Sequence, residues 1–222
     1  MLITAGPTQE PIDAVRHIAN LSSGRMGIAL AEVAAQRGNR VTLLLGPTAS
    51  ASPQHSHITT RGFRTTADLQ RLLAELWPTH SVLIMAAAVA DYRPADPGEG
   101  KKSRKAGTWT LELEPTPDLL AEAAASRRPG QITVGFALEP ADRLLTSARA
   151  KLLAKDVDAI VANPLQTIGA DHITATLLLR DGRQLTPPQG ECTKREFAQW
   201  LLDQIEEVRR TAPSSPAAPG SR

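Results

Sequence analysis

Residues 2–47 read LITAGPTQEPIDAVRHIANLSSGRMGIALAEVAAQRGNRVTLLLGP, and this stretch decides the fold. It opens on a short apolar run, 2–5, closed by Gly6-Pro7, the pattern of a strand followed by a turn. Residues 24–37 carry apolar side chains at helical spacing and stop at Gly38-Asn39. The run 41–45 is almost wholly apolar, as a strand buried on both faces requires, and ends at Gly46-Pro47. Strand, helix and strand in so short a span form a βαβ unit, which implies parallel pairing.

Outward from that unit the alternation continues. A short strand is expected near 57–60, then a helix over ADLQRLLAEL with Thr66 as its N-cap. The strand near 81–87 is too apolar for a sheet edge. TWTLELE, 108–114, alternates apolar and polar residues and reads as a half-exposed strand. Thr116-Pro117-Asp118 reads as a helix start with proline in its first turn. A buried strand at 132–137, a helix over ADRLLTSARAKLLAK and a strand at 158–163 follow. ITATLLLRDGRQL is a hairpin turning at Asp181-Gly182, and the chain closes on an amphipathic helix with Thr193 and Glu196 spaced as a capping box. The fold expected is α/β, a Rossmann-like, doubly wound, mostly parallel sheet. Ligands then bind beyond the carboxyl ends of the strands. One domain over 1–210 is expected, with a disordered tail, 211–222, rich in proline, serine and alanine.

Composition narrows the function. Of 222 residues, 25 are Lys or Arg and 23 Asp or Glu, a net charge of +2. So balanced a surface implies neither nucleic-acid nor membrane binding by long-range field. A single cysteine, Cys192, excludes an intrachain disulfide and a thiol-rich metal site, and it reads as structural. With no signal-peptide pattern and no apolar run of membrane-spanning length, the expected location is the cytoplasm. Aromatics are only 3% of the chain, so Ala, Leu, Val and Ile must fill the core.

The polar residues that could act cluster after the strands. Ser22, Ser23 and Gly24 open the first helix, where a phosphate could approach backbone N–H groups. The glycines lie too far from the first strand for the dinucleotide fingerprint, and Gly46-Pro47 stands where an acid would hold a ribose, which counts against a nicotinamide cofactor. The long insertion before the helix carries Asp13, Arg16, His17 and Asn20. Arg16 could clamp an anion, and Asn20 could donate to an acyl or phosphoryl oxygen. The small residues Ala87 and Ala88, ahead of Asp91, leave room for a flat ligand. Lys101-Lys102-Ser103-Arg104-Lys105 is a basic cluster, a solvated charge run or a phosphate contact. Lys151 and Lys155 are one helical turn apart. No His, Asp or Glu grouping has metal-ligand spacing.

Taken together, residues 3–47, AAAVADYRP (86–94), ELEPTPDLL (112–120), VGFALE (134–139), the Ala148, Lys151 and Lys155 spacing, and IVAN (160–163) closely resemble the phosphopantothenoylcysteine synthetase family, the ligase half of bacterial bifunctional coenzyme A enzymes. The resemblance runs in family order over 2–210. It implies a phosphopantothenate–cysteine ligase that uses CTP and Mg2+ to join 4′-phosphopantothenate to L-cysteine through an acyl-cytidylate. It implies that Asn20 acts on the acyl-cytidylate and that Lys101 contacts CTP phosphates. Lys102 remains an alternative, because KKSRK stands where the family has KIKK. Gly6, Ser23, Gly24, Ala87, Asp91, Phe136, Lys151 and Lys155 would hold the nucleotide, and Arg16, Asn20 and Ala88 the acid substrate. A homodimer is implied, joined by a small strand extension near 100–114. The flavin-dependent decarboxylase half of the bifunctional enzymes is not expected within these residues: either the ligase stands alone, with that decarboxylase as a separate partner, or the sequence is a domain cut from a longer protein.

Two other readings remain. A nicotinamide-dependent short-chain reductase needs Tyr-x-x-x-Lys, but the sole tyrosine, Tyr92, is followed at that spacing by Asp96. A non-enzymatic nucleotide-binding module would need the phosphate loop but not Asn20 together with a remote lysine.

Overall fold

The computed structural model of the chain describes residues 1–101, 103 and 107–211. β1 (Leu2–Ala5) is entirely buried, as its unbroken apolar run requires. The insertion that follows is a small antiparallel pair, β2 (Gln9–Pro11) with β3 (His17–Ala19). Helix α1 (Arg25–Gln36) begins after Gly24, whose φ of 70° is the left-handed conformation that glycine adopts freely. β4 (Val41–Leu45) and β5 (Ile58–Gly62) come next, then α2 (Thr66–Leu76) and β6 (Val82–Met85). Two short strands, β7 (Tyr92–Pro94) and β8 (Leu113–Pro115), pair antiparallel before α3 (Leu119–Ala125) and β9 (Ile132–Glu139). Helix α4 (Leu144–Ala154) leads into β10 (Ala159–Pro164). β11 (His172–Ile173), β12 (Thr176–Leu179), β13 (Gln184–Leu185) and β14 (Cys192–Thr193) precede the last helix, α5 (Lys194–Thr211).

The main sheet has eight strands in the order β13-β12-β10-β9-β6-β1-β4-β5. All neighbours from β10 to β5 are parallel, while β12 and β13 run antiparallel at one edge as the hairpin predicted at Asp181-Gly182. Ile3 sits in register between Leu43 and Ile84. The chain therefore leaves β1 toward β4 on one side and returns to β6 on the other. That reversal opens a crevice at the carboxyl ends of β1 and β6.

Helices cover both faces. α1 and α5 bury Ile28, Leu30, Phe197 and Leu201 against one side, and α2, α3 and α4 bury Leu69, Leu73, Leu120 and Leu152 against the other. α1 lies unusually close to β1: a Cβ on Gly27 would stand 2.5 Å from Ala5 Cβ and 2.7 Å from the Thr4 carbonyl. The predicted capping box of α5 is present, with Thr193 N donating to Glu196 at 2.8 Å and Glu196 N to Thr193 Oγ1 at 3.2 Å. Among the described residues no helix is long and apolar enough to cross a membrane.

Three local expectations need correction. Thr65, not Thr66, caps α2: its extended backbone lets its hydroxyl accept from Asp68 N while the Asp68 carboxylate accepts from Thr65 N. The Thr66 hydroxyl is instead buried and donates to Glu10. Of 108–114, only the end joins a strand, because β8 pairs over just three residues with β7. Helix α3 starts one residue after Asp118, whose side chain accepts from Ala121 N, so Pro117 precedes the helix rather than filling its first turn. The tail beyond residue 211 and Lys102 lie outside the described residues.

Candidate active site

The connection 86–91 leaves β6 at the crevice and is tied down by the neighbouring β1 loop. Ala87 N donates to Thr4 Oγ1 at 3.0 Å and Ala90 N to Thr8 Oγ1 at 2.9 Å. Ala88 N donates to the Gly6 carbonyl at 3.0 Å, and Thr8 N returns the bond to Ala88 O at 3.2 Å. Thr4 and Thr8 are fully buried, so the hydroxyls that a strand end offers are spent on fixing this loop. Across the crevice, Thr116 N donates to Asp91 O at 2.9 Å. Asn20, delivered by β3, donates its side-chain amide to Val89 O at 3.0 Å. The insertion is thereby latched to a loop 69 positions away, and the Asn20 carboxamide is held at the rim of the crevice.

Around these residues lies a cleft of about 770 Å³, within the range of small-molecule sites. Of the residues singled out in the sequence, Asn20, Ser23, Gly24, Ala87, Ala88, Asp91, Phe136, Lys151 and Lys155 all line it. Phe136 and Leu138 supply apolar floor from β9, and Asn163 from β10 stands nearby with its amide donating to Thr167 Oγ1 at 2.7 Å. One wall carries paired charges. Lys151 bonds Glu139 and Lys155 bonds Asp118, each at 2.6 Å. Burial works to raise the Asp118 carboxyl, but the Lys155 ammonium and the N–H groups of Ala121 and Leu120 hold it below the usual carboxylate range. The opposite wall carries Arg25 and Lys194, the first residues of α1 and α5.

Three expected site residues stand outside the lining of this cleft. Gly6 is buried beneath the cleft, where its backbone packs on Gly46 and on Gly24, so it shapes the floor without facing the cavity. Arg16 is bound to the buried Asp13 and stacks 5.0 Å from the Trp109 ring centre. Lys101 lines a second hollow with Ile12, Asp13 and Trp109 rather than the cleft that holds Asn20. Several lining residues escaped sequence reasoning. Thr116 and Asp118 read there only as part of a helix start, and Asn163 as a polar residue at a strand's carboxyl end with no role assigned. Thr167 and Lys194 carry no local signal at all.

Among the described residues no group of three or more His, Cys, Asp or Glu side chains could hold a metal ion. Asp91 lines the cleft and takes part in no ion pair among the described residues, which suits it to face a cation that arrives on a phosphate ligand. Cys192 is buried, and burial, then Glu196 and Glu191, push its thiol up, consistent with a structural role.

Comparison with known proteins places this geometry among relatives. The family model described as DNA/pantothenate metabolism flavoprotein C-terminal domain matches residues 1–208. The chain is 44% identical over 207 residues to a protein named cysteine/cysteine sulfinic acid decarboxylase, from an unknown prokaryotic organism, covering 92% of this chain and 57% of that one. It is 39% identical over 193 residues to the coenzyme A biosynthesis bifunctional protein CoaBC of Vibrio cholerae, covering 84% of this chain and 48% of the relative. A crystal structure of the C-terminal domain of a coenzyme A biosynthesis bifunctional protein CoaBC superposes with a TM-score of 0.79 at 36% identity, covering 94% of each chain. The chain thus spans about half the length of the curated relatives it matches.

Proposed function

This chain belongs to the family of DNA/pantothenate metabolism flavoprotein C-terminal domains, and on that premise we propose that it is a phosphopantothenate–cysteine ligase driven by CTP. The observation that carries this reading is the meeting, in one cleft at the sheet's carboxyl edge, of Asn20 from the insertion and Lys151 and Lys155 from α4. An activating ligase needs both: cations for a nucleotide and a neutral donor for an acyl group. A bare nucleotide-binding module needs only the first.

In the first step a carboxylate oxygen of 4′-phosphopantothenate attacks the α-phosphorus of CTP and pyrophosphate leaves, giving an acyl-cytidylate. In the second, the amine of L-cysteine attacks the acyl carbon. The amide forms, CMP departs with the former carboxylate oxygen, and the amine loses a proton. Lys155 and Lys151 hold the nucleotide, exchanging part of their pairing with Asp118 and Glu139 for its oxygens, and Phe136 lines the base pocket. Asn20, oriented through Val89 O, donates to the acyl oxygen as it gains charge. A magnesium ion facing Asp91 would shield the triphosphate charge when bound.

Lys101 stands outside the protomer's own cleft, so its contact with CTP phosphates requires a second subunit. Exposed Val15, Tyr92, Trp109 and Leu113 on the β2–β3 and β7–β8 arms support a homodimer through that extension. We further infer a cytoplasmic location and a flavin-dependent decarboxylase that carries out the next step; the decarboxylase name of one relative and the flavoprotein description of the family support that partner. The test is pyrophosphate release from CTP by the purified chain. It should require 4′-phosphopantothenate and proceed without cysteine. Release that ignores the acid, or CTP bound and never turned over, would overturn the ligase reading.

A further inference from the structure

Lys194 and Arg25 contradict local electrostatics. Each is the first residue of a helix, α5 and α1, where the aligned peptide dipoles favour negative charge. They stand side by side on one wall of the cleft, on the face of the sheet opposite α4. Arg25 bonds the exposed Asp171, whereas Lys194 joins no ion pair among the described residues. Glu196, the acid in its own first turn, is committed to the Thr193 cap. Partial burial, then Arg25, lower the Lys194 ammonium below the usual lysine range, with Asp171 opposing. Of the charges that act on it, Arg25 and Asp171 oppose each other, so Lys194 lines the cavity without a counter-ion of its own among the described residues. Conflicts of this kind between local rule and residue choice concentrate at binding sites.

We propose that Lys194 and Arg25 form a second anion subsite of the cleft, taking a phosphate group of a substrate whose reacting end lies at Asn20. The proposal rests on the ligase reading for the identity of that substrate. Two sources share the chemistry: the terminal phosphate of the pantothenate acid, or the outer phosphates of the nucleotide. Both walls would then be cationic, with Lys151 and Lys155 on one face of the sheet and Lys194 and Arg25 on the other.

Calorimetric titration separates the sources. The wild-type chain is titrated with pantothenate against 4′-phosphopantothenate, and with CMP against CTP, before and after Lys194→Gln and Arg25→Gln. One of the two phosphate-dependent gains in affinity should fall about tenfold or more in both variants, and Lys194→Arg should keep most of it. Loss in the acid pair assigns the acid's phosphate; loss in the nucleotide pair assigns the outer phosphates. If both gains survive in folded Lys194→Gln and Arg25→Gln, or the wild type shows neither gain, the subsite is overturned. The ligase reading fails separately, when the wild type forms no pyrophosphate or product from any nucleotide, whatever the titrations give.

Discussion

At the scale of single residues, Asn20 links sequence, geometry and proposed chemistry most tightly. Its amide N–H is already engaged by Val89 O, so its carboxamide is oriented before substrate arrives. Asn20→Asp replaces the neutral donor by an acceptor and sets a negative charge beside the acyl group. The expected outcome is slow amide formation with the acyl-cytidylate accumulating, read by quenched-flow mass spectrometry; normal turnover of the variant contradicts the role. Lys155→Met should act on the other substrate. Removing the ammonium leaves Asp118 unpaired beside the nucleotide, so KM for CTP should rise about tenfold or more with the acid's KM little changed. Equal loss for both substrates would contradict a nucleotide role. Of the residues that line the cleft, Asn20, Ala87 and Ala88 directly follow strands, where strand direction alone aims the chain at the crevice. Gly6 and Lys101 illustrate the limit. Sequence position tells that a residue leaves a strand, but not whether the turn dips under a neighbour, as Gly6 does against Gly46, or swings to another hollow, as Lys101 does beside Trp109.

At the scale of elements, caps and close approaches decide what can be changed. Thr65→Ala deletes one half of the α2 capping box and should cost about 1 kcal/mol in denaturant unfolding. The Asp68 carboxyl, held down chiefly by the Thr65 backbone N–H, stays ionised in the folded state to lower pH than in the unfolded chain. Its contribution is therefore complete above the ordinary carboxylate range and lost as pH falls through the lowered folded value. Asp68→Asn should remove that acid-side loss, so its melting temperature should drop less than wild type between about pH 6 and about pH 3. An identical drop would contradict the assignment. Gly27→Ala drives a methyl into Ala5 and the Thr4 carbonyl, so α1 must move off β1 at about 1–3 kcal/mol, with weaker ligand binding at the helix's leading turn. The periodic elements were legible because apolar spacing is a local property. The cap falls one residue earlier than the sequence predicts because two adjacent threonines offer the same hydroxyl, and only the buried Glu10, far away in sequence, claims the second. The expected strand at 108–114 shortened because alternation records a half-exposed face and cannot supply the neighbouring backbone.

For the whole molecule, the strand order sets where the site lies. The reversal beside β1 fixes the crevice, and the two helical layers set cations on both of its walls. The βαβ reading of residues 2–47 predicted the parallel sheet, while the antiparallel β12–β13 edge followed from the Asp181-Gly182 turn. What no local pattern contains is the convergence of Asn163, Thr116 and Lys194, which is a product of packing. The exposed arm carrying Tyr92 and Trp109, 56% and 43% exposed, should be covered by a second copy. Sedimentation at micromolar concentration should give a dimer, and Trp109→Ala should shift it toward monomer; a wild type that sediments only as monomer contradicts the shared-arm arrangement. The most direct test of the central claim follows the oxygen atoms. With heavy-oxygen label in the carboxylate of 4′-phosphopantothenate, CTP and cysteine, the purified chain should yield phosphopantothenoylcysteine and CMP bearing one labelled oxygen. Label in inorganic phosphate, or product without labelled CMP, would contradict activation of the acid as an acyl-cytidylate.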